Sequence, residues 1–162
     1  MNATERQAKI EAYGQAGEKL EAALKNFLPA ARHFRPTPEE WTIHEVVVHI
    51  ADSEANSYVR ARRLAAEPGS TVLGYDEMQW ARALNYAEQS AEEALELFKL
   101  LRRSTYQLIR RLPPSVWDNT VTHSESGLMT FDQWLDIYER HVREHIEQMQ
   151  GIYAAWQKTN NP

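Results

Sequence analysis

The sequence predicts an all-α protein, a four-helix bundle with a long crossover that contains a short extra helix. Three observations predict it. Four long stretches carry apolar residues three and four apart, the seam spacing of packed helices. Each opens on a Thr or Ser with Glu or Gln three residues on, and proline or glycine closes the first three. No period-2 run of β-branched residues competes with this pattern.

The first helix is expected to open at Thr4, with Gln7 completing a capping box. Its seam runs Ile10, Tyr13, Gly17, Leu20, Leu24, Phe27, and Leu28-Pro29 begins its end. Arg35-Pro36-Thr37-Pro38 is then a stiff connection. The second helix starts at Thr42, capped with Glu45, and runs through Val46, Val47, Ile50, Ala55 and Val59 to Ala66. Pro68-Gly69 stops it. The crossover from Gly69 to Gln89 is too long for a hairpin, and Asp76–Leu84 in its middle is expected to be a short helix that covers a site. The third long helix begins at Ser90 with Glu93 and ends before Pro113-Pro114, with Ala94, Phe98, Leu101, Thr105, Leu108 and Leu112 as its seam. The fourth begins at Thr130 with Gln133 and continues to about Gln157. Trp134, Ile137, Tyr138, His141, His145 and Ile152 share its inward face, and the last few residues are expected to fray.

A length of 162 residues suits one domain, 1–162, able to bury a core without staples. A net charge of −5 argues against nucleic acid, whose phosphates need an Arg and Lys excess. The clusters Arg60, Arg62, Arg63 and Arg102, Arg103 read as solvated helix faces that complement the macrodipole. With no cysteine, disulfides, thiolate metal sites and a protein thiol nucleophile are excluded. No apolar stretch approaches membrane-spanning length and no signal-peptide core is present, so no membrane partner and a cytoplasmic location are expected.

Histidines carry the chemistry. His141 and His145 lie four apart on one helix, so their rings project from one face about a turn apart, a geometry that grips one ion. They continue the inward seam of Trp134 and Tyr138. His49 stands in the apolar run Val46-Val-Val-His-Ile50. Alone, each ring fits a hydrogen-bonded core or edge residue. Three inward histidines on two helices are simpler to explain together, as a set that leaves positions open for water or substrate. A ferritin-like di-iron site is excluded, because no histidine has a glutamate three residues before it. His141-Val-Arg-Glu-His145 fits the H-x-x-E-H protease pattern, but only Glu147 remains downstream as a further ligand. No glycine-rich phosphate loop or G-x-S-x-G elbow is present.

The stretch Trp41-Thr-Ile-His-Glu-Val-Val-Val-His-Ile-Ala-Asp-Ser-Glu54, followed by Gly127-Leu-Met-Thr130 and His141-Val-Arg-Glu-His145-Ile-Glu-Gln-Met149, resembles the DinB-like family in motif order and separation. The resemblance spans nearly the whole chain. It implies a four-helix bundle, often a homodimer, holding one divalent ion, zinc or nickel foremost, on His49, His141 and His145. It also implies thiol-dependent transfer, in which a low-molecular-weight thiol such as bacillithiol or mycothiol attacks an electrophilic small molecule as a metal-activated thiolate. Hydrolysis by a metal-activated water is the close rival, and a noncatalytic protein binding a metal or small ligand is the third reading. The family name refers to DNA damage, to which the negative charge lends no DNA-binding support.

Around the ligands, Asp52, Ser53, Asn56 and Arg60 form a polar track. Asp52 and Glu45 are candidates to orient the imidazoles from behind. Tyr138, a turn before His141, is placed to donate to substrate or to fill the core, and Glu144 to act as general base if it leans toward the ion. Trp80, Asn85 and His123 are the loop residues expected to close over the open side, and Arg60, Asn56, Trp80 and His123 the set to hold a thiol or substrate.

Overall fold

Each long helix begins where a side chain can satisfy its first free N–H groups. The computed structural model describes residues 1–160. Its helices are α1 Ala3–Leu24, α2 Ile43–Ala66, α3 Glu77–Ala83, α4 Ala91–Ile109 and α5 Phe131–Asn160. Reciprocal capping boxes open α2 (Glu45 N to Thr42 Oγ1 3.1 Å, Thr42 N to Glu45 Oε2 2.8 Å) and α5 (Gln133 N to Thr130 Oγ1 3.1 Å, Thr130 N to Gln133 Oε1 2.8 Å). Ser90 caps α4 through the Glu93 amide, and Asp76 caps α3 through Gln79.

The first cap departs from expectation. Asn2, not Thr4, accepts from the Glu5 amide at 2.9 Å, in keeping with the stronger capping preference of asparagine, and Thr4 joins the first turn. α1 and α4 also stop short of Leu28 and Leu112. Leu28 precedes a proline and is extended (ψ 141°), because the proline ring disfavours helical geometry in the residue before it. The fraying expected at the C-terminus falls partly on residues 161–162, outside those described; α5 continues to Asn160.

Both α1 and α2 pack between α4 and α5, so the consecutive helices α1 and α2 stand diagonally across the bundle. Buried apolar side chains form two clusters. One gathers Leu20, Trp41, Val46, Ile50, Phe98, Val142 and Met149; the other gathers Ile10, Tyr13, Leu64, Phe131, Trp134 and Tyr138. Arg102 lies where they meet, its guanidinium 3.9 Å from the Tyr13 ring and 5.1 Å from that of Phe98. This corrects the reading of Arg102 as a solvated residue. It donates to Glu54 Oε2 at 2.5 Å and to the Tyr138 carbonyl at 2.9 Å, while the Tyr13 hydroxyl donates to Glu54 Oε1 at 2.5 Å. One buried network thus ties all four long helices. Two expected seam residues are rim residues instead: Val59 is 51% and Ile137 38% exposed.

A small sheet was not expected. β1 (Thr71–Val72) pairs parallel with β2 (Thr120–His123), which pairs antiparallel with β3 (Gly127–Thr130). Strands of two and four residues are too short to display alternation, and Gly127, at φ +78°, makes the tight turn into β3. The sheet pins the crossover to the loop before α5 through Gly69 N to Thr120 O (2.7 Å) and Ser124 N to Val72 O (3.0 Å). Among the described residues, no helix is long and apolar enough to cross a membrane.

Candidate metal centre

The α2 seam carries His49 into the bundle, fully buried between the equally buried Val46 and Ile50. Its ring lies 4.6 Å from that of Trp41, 4.8 Å from His145 and 5.5 Å from His141, centroid to centroid. One ligand-capable nitrogen of each histidine lies within 4.8 Å of those of the other two. On α5, the four-residue spacing brings Nε2 of His141 and Nε2 of His145 to 3.1 Å. His49, His141 and His145 therefore converge as the helix faces predicted.

Burial sets their charge. It pushes the His49 imidazole down to about 3 and His141 to about 2, with His145 adding repulsion to both, and it lowers His145 as well. All three are neutral at pH 7, the state in which imidazole offers a lone pair to a metal. Neither nitrogen of His49 has a hydrogen-bond partner. A buried polar atom without a partner is costly, and a divalent cation among the three rings would satisfy one of the two. The residues present fit such an ion.

Other placements differ from expectation. Asp52 accepts from the Tyr86 hydroxyl at 2.5 Å, and Glu45 serves its capping box and Arg35, so neither orients an imidazole. Gln148 does so for His145, its Oε1 2.7 Å from Nδ1, and Ser53 Oγ lies 3.4 Å from His141 Nε2. Glu144 is exposed and points to Arg140, because a position next to an inward ligand on a helix faces roughly 100° away. His123 is turned into its own hairpin, with Nδ1 accepting from the Glu125 and Ser126 amides. Asn85 closes α3 in the left-handed conformation (φ 51°) and lines a separate cavity with Trp41 and Met78.

Tyr138 is a core aromatic with a polar tip. Its ring centroid is 6.1 Å from that of His141, and its hydroxyl accepts from Arg60 Nη1 at 2.6 Å. Arg60, Asn56 and Trp80 share one cavity of about 600 Å³. The sequence reading missed two neighbours from the crossover. Glu77 Oε2 lies 4.0 Å from His49 Nε2, and the partly buried Tyr75, its hydroxyl beside Ser53, packs with its ring tilted 4.4 Å from that of Trp80, centroid to centroid. Burial raises the Glu77 carboxyl above its usual range. Asp76 marked the start of α3, but Glu77 in a first turn also reads as a partner for the helix dipole, and nothing local says which way a two-turn helix faces.

The fold and this centre together define a helical bundle in which three histidines from two helices converge in a geometry that could hold a metal ion. The chain belongs to the DinB superfamily, whose sequence profile matches residues 12–149. A relative from Oceanobacillus iheyensis, provisionally named a metal-dependent hydrolase, is 30% identical over 112 residues, 69% of this chain and 64% of its own. Another of the same provisional name, from Halalkalibacterium halodurans, is 26% identical over 110 residues, 68% of this chain and 64% of its own. The matched part thus spans less than two thirds of these curated relatives. YfiT from Bacillus subtilis, described as a probable metal-dependent hydrolase with an unusual four-helix bundle topology, superposes with a TM-score of 0.86. That match covers 94% of this chain and 87% of YfiT at 22% identity, and it establishes the fold.

Proposed function

We propose that this protein is a metal-dependent enzyme acting on a small molecule, with one divalent ion held by His49, His141 and His145, and that its reaction is hydrolysis. The observation that carries the reading is His49, a fully buried imidazole without hydrogen-bond partners that brings one nitrogen within 4.8 Å of a nitrogen on each of two further neutral imidazoles. A divalent ion bound there supplies Lewis acidity and lowers the pKa of a coordinated water or thiol. The chain's own groups complete the chemistry. Glu77, 4.0 Å from His49 and carried by the crossover, accepts the proton given up by the nucleophile. The Tyr138 hydroxyl, fixed by Arg60, donates to the substrate. Trp41 and the surrounding apolar side chains keep bulk water away from the imidazoles. The provisional hydrolase names of the relatives favour water as the nucleophile.

Thiol transfer is the second reading, supported by the motif resemblance and by the absence of cysteine, which requires any thiol to come from outside. Elemental analysis of untagged protein beside His49→Ala, His141→Ala and His145→Ala tests the centre. About one ion per chain, lost or much weakened in each variant, is expected; no metal in the wild type after zinc and nickel are offered overturns it. Turnover of ester and amide substrates without added thiol then supports hydrolysis. Product formed only with a thiol supports transfer, and metal without either reaction leaves a noncatalytic binding protein.

A further inference from the structure

The cavity beside the centre has a marked chemical bias. Its α2 wall presents Asn56, Val59, Arg60 and Arg63, the strand side presents Leu73, and Trp80 of α3 closes it. Two guanidiniums line it and no carboxylate does, in a chain whose net charge is −5; Arg63 is paired with Glu67 at 3.0 Å, which leaves Arg60 as the cation without an ion pair. Arg60 donates only to neutral acceptors, the Tyr138 hydroxyl at 2.6 Å and the Leu73 carbonyl at 2.5 Å. Those two bonds hold the guanidinium in place without an ion pair among the described residues, with the Glu77 carboxyl as a more distant counter-charge. A fixed planar cation with spare N–H groups is the arrangement that recognises a carboxylate.

Apart from Asn56 and Thr71, the rest of the cavity is apolar. Val59 is 51% exposed and Leu73 71%, and the Trp80 indole offers a flat face. Two of its lining residues adjoin neighbours of the centre. Arg60 touches Tyr138, whose ring neighbours His141, and Trp80 lies one turn beyond Glu77, which reaches toward His49.

We propose that this cavity binds the carboxylate end of an apolar or aromatic small-molecule acid, with Arg60 as its principal contact, and so directs the far end of that molecule toward the three histidines. The pocket names the substrate class for the function proposed above and rests on that reading for its purpose, though its anion preference does not require the ion.

Isothermal titration of 4-phenylbutyrate and of its neutral amide, 4-phenylbutanamide, into the metal-free and zinc-loaded protein tests this. The acid is expected to bind at least about tenfold more tightly than the amide. Arg60→Gln is expected to bring the acid down to the amide's affinity, and Trp80→Ala to weaken both ligands alike. Equal affinity for acid and amide, no binding of either, or an Arg60→Gln variant that keeps the preference overturns the proposal. The wild-type comparison of acid with amide stands even if Arg60→Gln does not fold. Zinc content measured in the same samples separates the two claims. An acid preference without bound zinc upholds the pocket and sinks the metal enzyme, whereas bound zinc without an acid preference sinks the pocket alone.

Discussion

The side-chain carbonyl of Gln148 lies 2.7 Å from Nδ1 of His145, and that contact decides which nitrogen of the ring faces the centre. A carbonyl only accepts, so Nδ1 carries the proton and Nε2 turns a bare lone pair toward His141 and His49. Replacing Gln148 with Ala removes this control. Zinc affinity, measured by chelator competition, is expected to fall about 10- to 100-fold with the fold intact. An unchanged affinity would mean that ring packing alone holds the tautomer.

The proton-accepting role proposed for Glu77 can be separated from ligand binding. Glu77→Gln keeps the shape of the side chain and removes its basicity, so the variant should retain about one ion per chain while turnover falls about 100-fold or more. Metal analysis and steady-state rates on the same preparation check this. Loss of the ion together with the rate would make Glu77 a ligand.

The metal-free protein should weaken in mild acid. Unfolded, His49 and His141 take up protons near 6.5; folded, they stay neutral until about 3 and about 2 because burial opposes the charge. The unfolded state therefore binds more protons below 6.5, and stability falls as pH drops through that window. Each of the two contributes up to about 1.4 kcal/mol per pH unit. Urea unfolding at pH 7 and pH 5 should reveal the loss, and a His49→Gln, His141→Gln double variant should show much less of it. Equal slopes would place the acid sensitivity elsewhere.

Arg102 is a structural cation. Truncating it to Leu leaves Glu54 buried without its partner, and breaking a buried pair in this way costs about 3–5 kcal/mol. Chemical denaturation should report that loss. A companion Glu54→Gln, Arg102→Leu variant should recover part of it, and failure to recover any would point to packing around Tyr13 and Phe98 as the dominant contribution.

Much of the fold was legible because its signals are local. Thr42 with Glu45 and Thr130 with Gln133 announce helix starts within four residues, and the three- and four-spaced seams say which way each helix faces. The histidine set followed from the same periodicity. Side chains whose partners lie far along the chain were not legible. Arg102 beside Arg103 looks solvated until Glu54, on another helix, is placed against it. Asp52 looks free to serve a histidine until Tyr86 claims it. Glu77 depends on how α3 lies over the bundle, and β1 and β2 pair two short segments far apart in sequence; neither arrangement leaves a periodic trace.

The crossover is fastened at both ends, by the parallel pairing of Thr71 and Val72 with β2 and by the Tyr86 hydroxyl on Asp52. Between those anchors lie Glu77 and Trp80, while the three imidazoles sit on α2 and α5 beneath. The proposed proton acceptor and the indole wall of the cavity therefore ride on one fastened segment, whereas Arg60 and the three histidines belong to the long helices. Substitutions at Glu77 and Trp80 thus alter what lies over the three histidines without replacing any residue of α2 or α5.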